Sequence, residues 1–140
     1  MAKKKNTENS TISDIPESYQ RYLDEIHTIS RKKKGGWVTN KEIADKLEVK
    51  PSSVTGMLKK LKEKELIKWS KRKTIRLTEQ GKRFAKQLNE IHNLLHLFFA
   101  NVLKIKDKKV IEDLSCEIEH HITRDVKDSL EEFLTHYLDL

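Results

Sequence analysis

The sequence predicts a mainly α-helical fold in which a winged helix-turn-helix unit is followed by a second, helical module. Three observations carry the prediction. Apolar residues recur at helical spacing in separate blocks over most of the chain. Two of those blocks are short and meet at a tight turn before Pro51, a residue that opens helices. Two strand-like runs joined by a basic link follow directly, which is the pattern of a wing.

The elements follow in order. Residues 1–14, MAKKKNTENSTISD, are polar and aperiodic and are expected to form a flexible basic arm. Pro16 opens a first helix in which Tyr19, Tyr22, Leu23, Ile26 and Ile29 share a face, ending at the stop Arg31-Lys32-Lys33-Lys34-Gly35-Gly36. Thr39 or Asn40 can cap a short helix to Leu47, with Ile43, Ala44 and Leu47 inward. After the turn Glu48-Val49-Lys50, a helix opened by Pro51-Ser52-Ser53 turns Val54, Met57, Leu58 and Leu61 inward. The wing pairs Leu66-Ile67-Lys68-Trp69 with Thr74-Ile75-Arg76-Leu77 around the tip Ser70-Lys71-Arg72-Lys73. Thr78 caps a long helix from about Glu79 to about Leu103, with Phe84, Leu88, Ile91, Leu95 and Phe98 on one stripe. Asp107 begins a helix running through His121, and Thr123 or Asp125 begins the last one, ending near Leu140. The winged unit is assigned to residues 15–77 and the helical module to residues 78–140.

A chain of 140 residues holds one compact domain, or a small winged domain and a helical module sharing its core. Its 29 Lys and Arg against 22 Asp and Glu give a net charge of +7, which favours a polyanionic partner. No run approaches the ~18 apolar residues of a membrane span, and the lysine-led N-terminus lacks the apolar segment of a signal peptide. A cytoplasmic protein without a membrane partner is expected. The single cysteine, Cys116, cannot form an internal disulfide and is a packing residue, a reactive thiol or a metal ligand.

A recognition helix in the major groove needs small or hydrogen-bonding side chains at its start and an apolar opposite face. Pro51, Ser52, Ser53 and Thr55 meet that need, with Thr39 at the start of the preceding helix beside them. Lys59, Lys60, Lys71, Arg72 and Lys73 supply charge for phosphates of a double-stranded operator. The plainer reading is a helical packing unit with a solvated lysine face; the order helix, turn, helix, basic wing argues against it.

In the second module His92 and His96 stand four residues apart and project from one helix face. Cys116, Glu119 and His120 stand at i, i+3 and i+4, and Glu112 lies one turn earlier, so that thiolate, carboxylates and imidazole converge on one stripe. The plainer reading makes Cys116 a small core residue, Glu119 and His120 a solvated edge, and the histidine pair half-buried packing. Catalysis by a metal would need an open position, a general base and a substrate pocket. The chain has no HExxH and no nucleophile with an evident base, so neither an enzyme nor a small-molecule substrate is expected.

These residues resemble the diphtheria toxin repressor family of metalloregulators, including its shorter manganese-sensing branch. The likeness runs from about Glu17 to the C-terminus. It rests on Tyr22-Leu23-Asp24-Glu25-Ile26, Pro51-Ser52-Ser53-Val54-Thr55, Leu77-Thr78-Glu79-Gln80-Gly81, His92-Asn93-Leu94-Leu95 and, most specifically, Cys116-Glu117-Ile118-Glu119-His120. The resemblance implies a metal-dependent repressor binding operator DNA as a homodimer, with residues 78–140 as a metal-binding and dimerisation domain. It places Cys116, Glu119 and His120 at a primary metal site and His92, Glu112 and His96 at an ancillary one. Asp24 matches an N-terminal carboxylate ligand. Arg21 stands where the family has methionine or aspartate and cannot ligate, because it stays protonated; Asp24, water or Gln20 would then complete the shell.

The chain ends where the iron-sensing branch continues into an SH3-like domain, so the short form is expected. Its length resembles the manganese branch and Cys116 the iron branch. The expected cofactor is Fe(II) or Mn(II), with a lean toward iron because a thiolate suits softer ions, and with Co(II), Ni(II) and Zn(II) binding in vitro. Leu97, Phe98, Val102, Val110, Ile111, Leu114 and Ile118 are left for a two-fold interface. The rival is a winged-helix regulator sensing redox state or a small molecule through Cys116.

Overall fold

The computed structural model describes residues 11–70 and 72–139. Helix α1 (Glu17–Arg31) leads to strand β1 (Val38–Thr39), then α2 (Asn40–Leu47) and α3 (Pro51–Glu63). Strands β2 (Ile67–Trp69) and β3 (Thr74–Leu77) form the wing, and α4 (Glu79–Leu97), α5 (Lys108–Ile118) and α6 (Arg124–Tyr137) complete the order. The wing hairpin gains β1 on its far side, giving an antiparallel sheet of order β1-β3-β2 in which Val38 faces Ile75 and Ile67 faces Leu77. Val38, Ile67, Ile75 and Leu77 point into the core.

Capping fixes where the helices start. The Thr39 hydroxyl accepts from the Glu42 amide at 3.2 Å while the Glu42 carboxylate accepts from the Thr39 amide at 3.1 Å, a reciprocal capping box. Thr78 accepts from the Gly81 amide and donates to the Glu65 carbonyl, tying the start of α4 to the end of the α3–β2 turn. Gly81 lies so close to β2 that a Cβ there would sit 2.2 Å from the Leu66 carbonyl oxygen. One contiguous core includes Leu23 and Ile26 of α1, Ile43 of α2, Val54, Leu58 and Leu61 of α3, and Phe84, Leu88, Ile91 and Leu95 of α4. Helix α4 therefore belongs to the winged core as much as to the second module, and α1 packs along it.

The structure corrects the expectations at several places. Residues 1–10 of the expected arm, like Lys71 of the wing tip and Leu140, lie outside the described residues. Residues 11–14 are docked rather than loose: Ile12–Asp14 form a 3-10 turn, Ile12 is only 3% exposed, and its amide donates to Gln87 Oε1 at 2.8 Å. Burying one isoleucine is worth roughly 1.5–3 kcal/mol, and hydrogen bonds to Gln87 and Gln20 add to the hold on the turn. The long helix stops at Leu97 and continues as a π-helical turn over Phe98–Val102. The inserted residue lets Phe98 meet the Phe133 ring of α6 while Phe99 packs on the core. Helix α5 ends at Ile118, and Glu119–His121 tighten into a 3-10 turn. Ile111 is buried within the protomer at 3% exposure and is not free for a partner.

Candidate metal centre and nucleic-acid surface

Helix α4 carries His92 to a point facing α5 and the 3-10 turn that follows it. The imidazole lies between two carboxylates: Nδ1 is 2.8 Å from Glu119 Oε2, and Nε2 is 3.2 Å from Glu112 Oε2. The Cys116 thiol donates to Glu112 Oε1 at 3.4 Å, and its sulfur lies 4.0 Å from His92 Nδ1. Ligand atoms of His92, Glu112 and Cys116 lie within 4.8 Å of one another. The 3-10 turn rotates Glu119 inward, burying it to 4% exposure against His92. It also carries His120 away from the α5 stripe: His120 Nε2 is 3.6 Å from Glu119 Oε1, while Nδ1 reaches Gln20 Oε1 of α1 at 3.0 Å.

The outlying residues differ. Asp24, half-buried on α1, is close enough for its carboxyl to feel both His92 and Glu112. The His96 ring centroid is 6.2 Å from that of His92, and the two line a shallow surface depression with Glu112, outside the tight cluster. Arg21 turns outward and pairs with Glu17 at 2.7 Å. Gln20 is not available as a ligand, since its amide is spent on His120 and on two backbone carbonyls.

The electrostatics report an excess of buried negative charge. Burial, then Glu119 and Glu112, push the Cys116 thiol up to about 12. Burial also raises the carboxyls of Glu119 and Asp24. The hydrogen bond to Glu119 raises His92, whereas burial and then the Arg21 charge lower His120 to about 4, leaving it neutral. A thiol, two imidazoles and clustered carboxylates whose mutual repulsion a dication would offset form a donor set that fits a divalent transition ion.

A second surface, formed by α3 and the wing tip, is basic. Pro51 occupies the first position of α3, and Ser52, Ser53, Lys59 and Lys60 are exposed, as are Arg72 and Lys73 at the wing tip. The first turn of α3 carries no acidic residue, so nothing in it repels phosphate. Two of the expected contacts are engaged internally. The Thr39 hydroxyl serves the α2 cap, and the Thr55 hydroxyl donates to the Pro51 carbonyl while accepting from Asn40 Nδ2 at 3.0 Å. Asn40, which sequence reasoning saw only as a possible cap, braces α2 against the recognition helix.

Known proteins match this arrangement along nearly its whole length. The profile described as the N-terminal DNA binding domain of the iron dependent repressor covers residues 14–75, and that of its metal binding and dimerisation domain covers residues 78–138. The chain belongs to the iron-dependent repressor family. It is thus a metal-dependent transcriptional repressor, not an enzyme, with a DNA-binding domain and a metal-binding, dimerising one. Among curated relatives, the HTH-type transcriptional regulator MntR of Bacillus velezensis is 30% identical over 122 residues, which span 87% of this chain and 83% of that protein. The solved manganese regulator SloR is 29% identical with a TM-score of 0.68, covering 84% of this chain and 53% of that one. ScaR with bound Zn2+ is 28% identical with a TM-score of 0.71, again covering 53% of its own chain. The chain thus spans about half the length of these two solved proteins. Among the described residues no helix is long and apolar enough to cross a membrane.

Proposed function

We propose that this repressor is switched by Fe(II) or Mn(II) held by Cys116, Glu119, His120, His92 and Glu112, with Asp24 beside them, and that it then binds its operator as a homodimer. The observation that carries the reading is His92 held between Glu119 and Glu112 with the Cys116 thiol against the same pair. These side chains come from two helices and the turn after the second, so one ion would tie them together. The ion supplies charge neutralisation and cross-linking, and the chain's own residues do the rest. With an ion bound, Cys116 would lose its proton to solvent, the neutral His120 would offer a lone pair, and His92 would ligate in place of a carboxylate hydrogen bond. The thiolate favours iron over manganese on ligand softness, and supply in the cell decides the occupant. His96 belongs to an outer position that a second ion could share with Glu112.

Leu103, Val110, Leu114, Phe133 and Tyr137 are between 37% and 53% exposed and supply the apolar surface for the two-fold contact. The dimer sets two α3 helices about one DNA turn apart or a multiple of it. Ser52, Ser53, Lys59, Lys60, Arg72 and Lys73, with Lys71, contact phosphates and groove edges, while Thr39 caps α2 and Thr55 ties the recognition helix to Asn40 of α2. By linkage, operator must tighten metal binding by the factor by which metal tightens operator binding.

The test is anaerobic fluorescence anisotropy on a duplex from upstream of the protein's own gene, with metal-free protein and with Fe(II) or Mn(II) added. Metal should tighten binding at least tenfold, and Cys116→Ala should lose most of that response. Equal binding by metal-free and metal-loaded protein refutes the proposal.

A further inference from the structure

Gln20 is 2% exposed in the first turn of α1, and each polar atom of its amide is committed. Nε2 donates to the Ile12 and Ile15 carbonyls, each at 2.8 Å, and Oε1 lies 3.0 Å from His120 Nδ1. The orientation of this amide is dictated chemically. Both partners of Nε2 are carbonyl oxygens, which only accept, so turning the amide over would set oxygen against oxygen twice. Oxygen must therefore face His120, and because that oxygen can only accept, the imidazole must donate. His120 Nδ1 then carries the proton and Nε2 keeps its lone pair. Nε2 lies 3.6 Å from Glu119 Oε1, too far for a hydrogen bond, so the lone pair is unspent and sits at the edge of the Cys116–Glu119 cluster.

We propose that Gln20 is the positioning residue that locks His120 as its Nδ1–H tautomer, so that Nε2 is presented to the metal before any ion arrives. This rests on the metal-site reading above and deepens it. An imidazole that ligates through one nitrogen is oriented by what the other nitrogen bonds, and such partners govern affinity as ligands do. Here the partner is itself held by the backbone of the N-terminal turn. That turn is anchored in turn on Gln87 of α4, so orienting His120 requires residues 12–15 to be docked.

The first measurement needs no mutation. Long-range proton–nitrogen spectra of the metal-free protein at neutral pH should show His120 protonated at Nδ1 with a bare Nε2. The second is anaerobic Co(II) binding, followed by its thiolate charge-transfer band, for wild type, Gln20→Met and Glu119→Gln. Gln20→Met keeps the length and burial of the side chain but removes the acceptor. It should weaken Co(II) binding by about tenfold or more, the usual effect of deleting such a partner, and release His120 into a mixture of tautomers. If wild type binds no Co(II), or Glu119→Gln binds as wild type does, the metal-site reading falls and this inference with it. If those two behave as the site requires but His120 carries its proton on Nε2, or folded Gln20→Met binds Co(II) unchanged, Gln20 is a packing residue only and the inference is overturned.

Discussion

The pH dependence of metal binding tests the candidate centre most directly, because the structure fixes how many protons must leave. The Cys116 thiol, pushed up to about 12, is fully protonated in metal-free protein at every pH from 6 to 8. Only thiolate ligates, so each binding event expels one whole proton from Cys116 across that range. The logarithm of the association constant should therefore rise by about one per pH unit from this group alone. His120, lowered to about 4, is already neutral and adds nothing. His92 is raised by Glu119, so at the acid end it too must shed a proton, and the raised carboxyls of Glu119 and Asp24 act in the same direction. The slope should exceed one at the acid end and fall toward one as the pH rises. Isothermal titration with Mn(II) in buffers of differing ionisation enthalpy measures both the slope and the protons released. Cys116→Ala should lower the slope by one across the range and leave the acid-end excess in place. A variant with the wild-type slope would mean that the thiol does not ligate, and the assignment of Cys116 would be refuted.

Three further outcomes follow from the packing and the charged surface. Gly81→Ala would set a methyl 2.2 Å from the Leu66 carbonyl oxygen, where only backbone can yield; overpacking of that kind costs about 1–3 kcal/mol, and at roughly 4 °C per kcal/mol calorimetry should show the thermal midpoint falling by several degrees. Lys59→Ala and Arg72→Ala should each weaken operator binding similarly on any sequence and lower the slope of log affinity against log salt by about 0.9 if each side chain neutralises one phosphate; an unchanged slope removes that residue from the interface. Leu114→Glu and Phe133→Glu change side chains 37% and 45% exposed and should shift the protein toward monomer in sedimentation equilibrium while leaving its helical content intact.

Periodicity revealed the helices, the wing and the order that makes a winged unit, because each of those elements buries one face against a shared core. It was less informative where tertiary contacts override local pattern. Ile12 is a single apolar residue in a polar run, and nothing local shows that it docks against α4. The spacing of Cys116, Glu119 and His120 assumes α-helical turns, yet α5 tightens at Glu119, which sends Glu119 to His92 and His120 to Gln20. Which side chains share a site therefore depended on a change of helix type that no spacing rule records. The role of Gln20 was hidden for a related reason: its partners lie 5, 8 and 100 residues away.

The placement of α1 and α4 explains how the candidate centre in the second module would govern the winged surface of the first. Helix α4 supplies His92, and its N-terminus is locked to β2 through Thr78, Glu65 and the Gly81–Leu66 contact. Helix α1 supplies Gln20 and Asp24, and it also contributes Leu23 and Ile26 to the core that seats α2 and α3. An ion gathering His92, Cys116 and the Glu119–His120 turn would thus fix the same two helices that carry the winged core. Close-packed interiors transmit such a constraint as rigid-body movement rather than absorbing it. Deleting Ile12–Asp14 tests the point, since it removes the carbonyl of Ile12 from Gln20 and the buried Ile12 side chain from α4 while leaving every candidate ligand in place. The shortened protein should bind Mn(II) more weakly and lose most of the metal response in operator binding, yet keep its metal-independent affinity for DNA at low salt. Metal-responsive operator binding at wild-type strength would show that the docked turn takes no part in the coupling.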